Sequence, residues 1–202
     1  MALDVAFFAL LTAASWGASS PLSKLGMERG GTPYQAALTV VFVSLGVYWS
    51  AIVVRGDPVL ANPPWVLATF AVTGVMATAV ARGLSYTGVH RVGASVNSAA
   101  QNTRPVWSMA LAVVFLGEVV TPQIALGIAV VVTGLVTLAF SGGGDIRGWR
   151  LRDLAFPLAS ALTFATGNVV RRFVFTTSDV TPLAGVAINE SAGLVGLLAF
   201  LL

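Results

Sequence analysis

The run PQIALGIAVVVTGLVTLAF, residues 122–140, decides the fold. No side chain between Pro122 and Phe140 is charged, and apolar residues follow one another instead of alternating with polar ones. A helix crosses the hydrocarbon core of a bilayer with about 20 apolar residues. In lipid only helices and closed barrels satisfy every backbone polar group. A barrel strand alternates apolar and polar positions, which this run does not, so it reads as a membrane helix. Thr121-Pro122 opens it: Thr suits an N-cap, and Pro at the first helical position gives up an N–H that has no intrahelical partner.

Working outward, the same reading repeats. Apolar stretches lie at 4–26, 33–54, 64–88, 93–116, 153–173 and 181–202. With 122–140 they predict about seven transmembrane helices in an all-α, polytopic membrane bundle. Thr32-Pro33, Pro63-Pro64 and Thr181-Pro182 open three of the stretches. Tyr34, Trp49, Trp65 and Trp149 lie near proposed helix ends, where aromatic rings favour the headgroup region. The bulk composition agrees: the chain of 202 residues is 56% hydrophobic and 9% charged, with mean hydropathy +0.87. Soluble domains carry about 25% charged residues. The first stretch is apolar from Val5 to Ala14, but the residues before it carry Asp4 and no Lys or Arg. That is the wrong start for a cleaved signal peptide, so it is read as the first membrane helix.

Several chemistries are excluded. With no Cys, disulfides, thiol catalysis and thiolate metal sites are impossible. A single His argues against a histidine-built metal site. The net charge of +3 comes from scattered Arg residues, which is no nucleic-acid signature. No cofactor and no metal are expected. The expected partners are the lipid bilayer and a small-molecule substrate, with a homodimer left open and nucleic acid excluded.

The longest polar interruption, SGGGDIRGWRLR at 141–152, is Gly-rich and basic and reads as a linker between two units. Sliding the chain by roughly 148 positions brings Phe8, Leu10 and Ala13 onto Phe156, Leu158 and Ala161, and Lys24 onto Arg172. One residue of slippage later, Thr32-Pro33 meets Thr181-Pro182 and Leu45 meets Leu194. The expected organisation is therefore a first five-helix repeat at 1–140, the linker at 141–152, and the start of a second repeat at 153–202. Five is odd, so the second copy enters from the opposite side. That is an inverted-topology repeat, with a site at the repeat interface near the midplane. The second copy stops after two helices, at Phe200-Leu201-Leu202, so a truncated second repeat is the expectation.

The stretch from Gly93-Ala94-Ser95 to Pro105-Val106, followed by Leu116-Gly117-Glu118, Gln123, Gly127 and Gly134, resembles the EamA-type domain of the drug/metabolite transporter superfamily. Trp16-Gly17 resembles the start of that domain. The resemblance covers about 1–140 as one repeat and 153–202 as the beginning of another. It implies a ten-helix secondary transporter, an exporter or importer of small metabolites, built from two five-helix repeats. The location expected with it is a prokaryotic plasma membrane. Such relatives typically keep both termini in the cytoplasm. The loop charges, with Lys24, Arg29, Arg91, Arg147, Arg150 and Arg152 on one side, put the N-terminus outside by the positive-inside rule.

Polar residues at membrane depth mark the candidate site. A charge at mid-bilayer costs about 2.5–3.5 kcal/mol on insertion scales, so it faces protein or water. Asn97, Gln101, Arg104 and Ser108 fall at i, i+4, i+7 and i+11, one helix face. They read as a substrate-cavity wall, with Arg104 a donor fork for a carboxylate or phosphate, or as an interhelical hydrogen-bond seam. Arg82, on the same face as Thr78 and Ser85, either joins Arg104 around an anion or snorkels to the interface. Thr12, Trp16 and Ser19 share a face of the first helix, and Asn168 is a cavity candidate in the sixth. Arg171 and Arg172 are expected to snorkel, and the second and fifth helices to be scaffold or lipid contact. Glu190, with Asn189 beside it, is the proton-coupling candidate, because desolvation disfavours the charged form of a carboxylate. The other reading is a structural salt bridge with Arg104 or Arg82.

These residues predict a secondary transporter that moves a small polar metabolite, like an amino or organic acid, by alternating access and exchanges it against protons. The first helix has no carboxylate after Asp4. Some relatives that export cationic drugs rely on a glutamate there, so a quaternary-cation exchanger is disfavoured. The rival readings are a non-transporting scaffold or half-unit that needs a partner, and an intramembrane enzyme. The second lacks a Ser–His pair, clustered acids or metal ligands at membrane depth. No catalytic residue is expected, and the absence of a phosphate-binding loop disfavours ATP-driven transport.

Overall fold

The computed structural model describes residues 2–117, 119–140 and 148–199. It is 87% helical, with no strand among the described residues. The helices are α1 (Ala2–Glu28), α2 (Pro33–Arg55), α3 (Pro64–Gly74), α4 (Arg82–Gln101), α5 (Arg104–Leu116), α6 (Pro122–Phe140), α7 (Ala155–Thr177) and α8 (Pro182–Ala199). A π-helical segment, Val75–Ala81, joins α3 to α4. Over their described residues the seven apolar stretches are mostly helical, and the chain folds as an all-α membrane bundle. Among the described residues, three helical runs, Tyr34–Arg55, Pro64–Gln101 and Pro182–Ala199, are long and apolar enough to cross a membrane by length and composition.

The Thr-Pro pairs open their helices as the sequence predicts. At α2 the Gln35 N–H donates to Thr32 Oγ1 at 3.2 Å, and the Thr32 N–H donates to Gln35 Oε1 at 2.8 Å. This reciprocal cap satisfies two backbone donors that the first turn leaves without partners. Thr121 accepts from the Ile124 N–H at 3.4 Å, and Thr181 accepts from the Ala184 N–H at 3.2 Å.

The break between the third and fourth stretches is shorter than expected. His90 does not lie in a loop: the helix runs through it, and the chain turns at Gly93, whose φ of 87° and ψ of 165° are open to glycine. A second interruption at Asn102 and Thr103 separates α4 from α5. Of the linker, 141–147 lies outside the described residues. Its end docks through a 3-10 turn, Leu151–Leu154. There the Arg150 N–H donates to Asp153 Oδ2 at 2.9 Å, and Arg91 lies 3.4 Å from Asp153 Oδ1. The Arg150 amide, with Arg91 beside it, holds the Asp153 carboxyl below its ordinary range.

Two apolar clusters organise the packing. Ile52, Val66, Phe70, Val174, Ala184 and Ala187 join α2, α3, α7 and α8. Ala37, Val41, Ala79, Tyr86 and Leu197 join α2, α4 and α8 across the π-helical segment. Elsewhere apolar side chains point outward: Phe42, Val43 and Val53 on α2, Phe115 on α5, and Leu126 and Val130 on α6 are all exposed. In water this would be a defect; in lipid it is the ordinary exterior of a bundle.

With apolar lipid outside, helices associate through close packing of small residues, and α8 does so against α3 and the π-helical segment. A Cβ on Gly74 would lie 2.0 Å from the Asn189 carbonyl oxygen, and one on Gly193 would lie 2.3 Å from Thr78 Cβ. The two backbones therefore touch along this crossing. Gly74→Ala should force them apart and cost about 1–3 kcal/mol of stability. Gly83→Ala, at an open helical position with nothing within 4 Å, should be neutral or stabilising by about 0.5–1 kcal/mol. Melting of the detergent-solubilised variants checks the contrast; equal melting of the two would refute the contact.

Candidate functional site

The α3–α8 crossing sets two charged side chains face to face. Arg82 begins α4 directly after the π-helical segment, and Glu190 lies in the middle of α8. Arg82 donates through both terminal nitrogens to both Glu190 oxygens, at 3.2 and 3.1 Å. The side chains are 13% and 10% exposed. This bidentate fork is the strong form of a carboxylate–guanidinium contact. It corrects the snorkelling alternative for Arg82, and it makes Arg82, rather than Arg104, the partner of Glu190.

The predicted stripe supports the pair from behind. Arg104 Nε donates to Gln101 Oε1 at 2.8 Å, Gln101 Nε2 to Ser160 Oγ at 2.8 Å, and Ser160 Oγ to the Ala81 carbonyl at 2.6 Å. The chain of bonds starts at α5, crosses α7 and ends on the residue before Arg82. Asn97, fully buried, donates to Ser85 Oγ at 3.4 Å. The Arg104 guanidinium lies 4.2 Å from the centroid of the Phe164 ring, close enough for a cation–π contact.

Two cavities meet at the pair. The larger, about 530 Å³, is lined by Ser15 of α1, Ser44 and Tyr48 of α2, Ser85 and Tyr86 of α4, and shared residues described below. The smaller, about 310 Å³, is lined by Thr78, Arg104, Asn168, Arg171 and Asn189. Arg82, Phe164 and Glu190 line both and so form their common wall. Both volumes fall in the range of small-molecule sites, about 300–1,000 Å³.

Of the predicted cavity residues, Arg82, Arg104, Asn168 and Glu190 line these cavities, whereas Asn97 and Gln101 line neither and join the site through Ser85 and Arg104, as the interhelical hydrogen-bond seam would have it. Thr12 stands exposed on α1 and does not line the larger cavity, whereas Ser15 does. The side chains of Trp16 and Ser19 lie outside the described residues, as does Glu118. Ser108 faces a separate cavity with Asn168 and Arg172.

Two expectations are corrected. Arg171 does not snorkel: its Nη2 donates to Asn168 Oδ1 at 2.5 Å. Asn189, its amide oriented oxygen-first, accepts from Arg171 Nη1 at 3.1 Å, from Thr73 Oγ1 at 3.1 Å and from the Gly74 N–H at 2.9 Å. A second asparagine within reach outweighs the pull of the interface. Nor is α2 only scaffold, because Val40, Ser44 and Tyr48 line the larger cavity. Their i, i+4, i+8 spacing was the available signal. Phe164 carried none, since an aromatic ring in an apolar helix looks like any packing residue.

The sequence model of the EamA-like transporter family matches residues 4–140. No curated protein and no solved structure matches the chain.

Removing one partner of a buried ion pair strands the other charge, whereas replacing both with apolar groups is often nearly neutral. Arg82→Met and Glu190→Met should therefore each cost about 3 kcal/mol, and the double variant less than either alone. A double-mutant cycle on thermal stability measures this. Additive costs would mean that the two charges do not depend on each other.

Proposed function

The chain belongs to the EamA-like transporter family and is an integral membrane protein, and from that membership we propose that it carries a small carboxylate-bearing metabolite, an amino acid or organic acid, across the membrane by alternating access. The observation that carries this reading is the Arg82–Glu190 pair standing between two cavities. A guanidinium fork matches a carboxylate in shape and charge. Glu190 occupies it as a substrate carboxylate would, so the pair is an internal stand-in for the solute.

The exchange of partners then has a simple form. Protonation of Glu190 removes the charge that holds Arg82. The freed fork takes the substrate carboxylate from one cavity, and Phe164 and the pair part to hand it to the other. When substrate and proton have left, Arg82 and Glu190 close again. One proton accompanies each substrate, so this geometry favours cotransport over the exchange expected from sequence alone. A prokaryotic plasma membrane, with its proton gradient, is the setting that the reading assumes. It also takes 1–140 and 153–202 as repeats of opposed orientation joined at 141–152, a reading supported by the matching Thr-Pro starts of α2 and α8. Repeats of this kind rock against each other around a midplane site.

Transport in proteoliposomes tests the proposal. Glu190→Gln keeps a hydrogen-bonding group beside Arg82 and cannot release a proton. It should lose uphill accumulation driven by an imposed pH gradient and keep counterflow of labelled substrate. A variant that still accumulates substrate against its gradient would remove Glu190 from proton coupling. Unchanged counterflow in Arg82→Gln would remove Arg82 from substrate binding.

A further inference from the structure

Resting on that reading, we infer that the larger cavity is a hydroxyl-binding chamber and that the transported solute is a small hydroxylated carboxylate, its acid group on Arg82 and its hydroxyls beside Ser44, Tyr48 and Tyr86.

The make-up of the chamber wall carries the inference. Five of its lining residues bear a hydroxyl: Ser15, Ser44, Tyr48, Ser85 and Tyr86. They come from α1, α2 and α4 and line the same space as the Arg82–Glu190 pair. The smaller cavity has one, Thr78, among its described lining residues. The hydroxyls are thus gathered in one of the two cavities.

The way these hydroxyls are left open points the same way. A serine or threonine hydroxyl inside a helix can bond the carbonyl four residues back. Thr39, Thr69, Thr87 and Thr163 do so at 2.7–2.9 Å, and Ser15 donates to the Leu11 carbonyl at 2.8 Å. Ser44 makes no such bond. Neither it nor Tyr48 nor Tyr86 has a hydrogen-bond partner among the described residues. Tyr86 is only 6% exposed, and a buried tyrosine hydroxyl normally finds a partner. Its ring is fixed in the cluster with Ala37, Val41 and Leu197, and Tyr48 packs against the cluster around Ile52 and Phe70. Both phenols are therefore held by packing and left open at the hydroxyl, as preorganised ligand groups are.

A hydroxyl both donates and accepts, so a wall of hydroxyls matches a solute group that does the same. It does not match an ammonium. Among the described lining residues the one carboxylate is Glu190, and in the proposed cycle Glu190 is protonated while Arg82 holds the solute. An amino acid would bring a cation into a chamber with no anion to meet it. Tyr48 lies within electrostatic range of both Arg82 and Glu190, so one short molecule reaches the fork and the hydroxyls together.

The test uses the 202-residue chain in nanodiscs and three four-carbon probes, threonate, butyrate and 2-aminobutyrate. Threonate differs from butyrate only in its hydroxyls. Calorimetric titration should show threonate binding about tenfold tighter than butyrate or more, because a solute without hydroxyls leaves the wall groups unmatched. 2-Aminobutyrate should bind no tighter than butyrate. Tyr48→Phe combined with Tyr86→Phe keeps both rings and removes both hydroxyls. It should bring the threonate affinity to within about threefold of that for butyrate and leave butyrate nearly unchanged. Equal affinities for threonate and butyrate in the wild-type chain would overturn the hydroxyl chamber and leave the carboxylate reading of Arg82 standing. 2-Aminobutyrate binding tighter than threonate would overturn it in favour of an amino acid. A tenfold ratio that survives in the double variant would also overturn it. Failure of all three probes to bind would overturn both readings. The wild-type affinities decide the matter even where the double variant does not fold.

Discussion

A charge inside a bilayer cannot be left to itself, and this constraint shapes the centre of the molecule. Glu190 and Arg82 are separated by 108 positions in sequence, yet neither is tolerable at that depth without the other. Their bidentate contact fixes the crossing of α8 over the π-helical segment that leads into α4. The helices that line the two cavities are arranged around it. The pair is thus a packing element and the charged centre of the site at once, which is why loss of one partner is expected to affect both stability and transport.

The pair could not form without the close packing beside it. Gly74 lies against the Asn189 backbone, and Gly193 against Thr78, so α3 and α8 approach to backbone contact. The π-helical segment then carries the chain to Arg82, and the Ala81 carbonyl at its end accepts the Ser160 hydroxyl. π-helical turns occur often at functional sites. Here the segment sits one residue from the guanidinium on which the proposed chemistry turns.

Much of this was legible in the sequence, for identifiable reasons. Long apolar runs have one solution in lipid, and Thr-Pro pairs mark helix starts through local hydrogen bonds; both signals are contained in a few neighbouring residues. The stripe Asn97, Gln101 and Arg104 was legible because helical periodicity alone puts it on one face. The partner of Glu190 was not, because two arginines competed and only the tertiary crossing chooses between them. Arg171 was misjudged for a similar reason. Near a helix end the interface is the default destination for a long cation, and nothing local reveals that Asn189 of another helix lies within reach. The π-helical segment has no signature in the apolar run that forms it.

The central claim is that a substrate carboxylate displaces Glu190 from Arg82 as Glu190 takes up a proton. Infrared difference spectroscopy of the chain in nanodiscs reads this directly, with isotope-labelled succinate to shift the bands of the ligand away from those of the protein. The account predicts that succinate addition produces a protonated-carboxyl band that is absent in Glu190→Gln. Succinate binding without that band, or with the same band in Glu190→Gln, would contradict it.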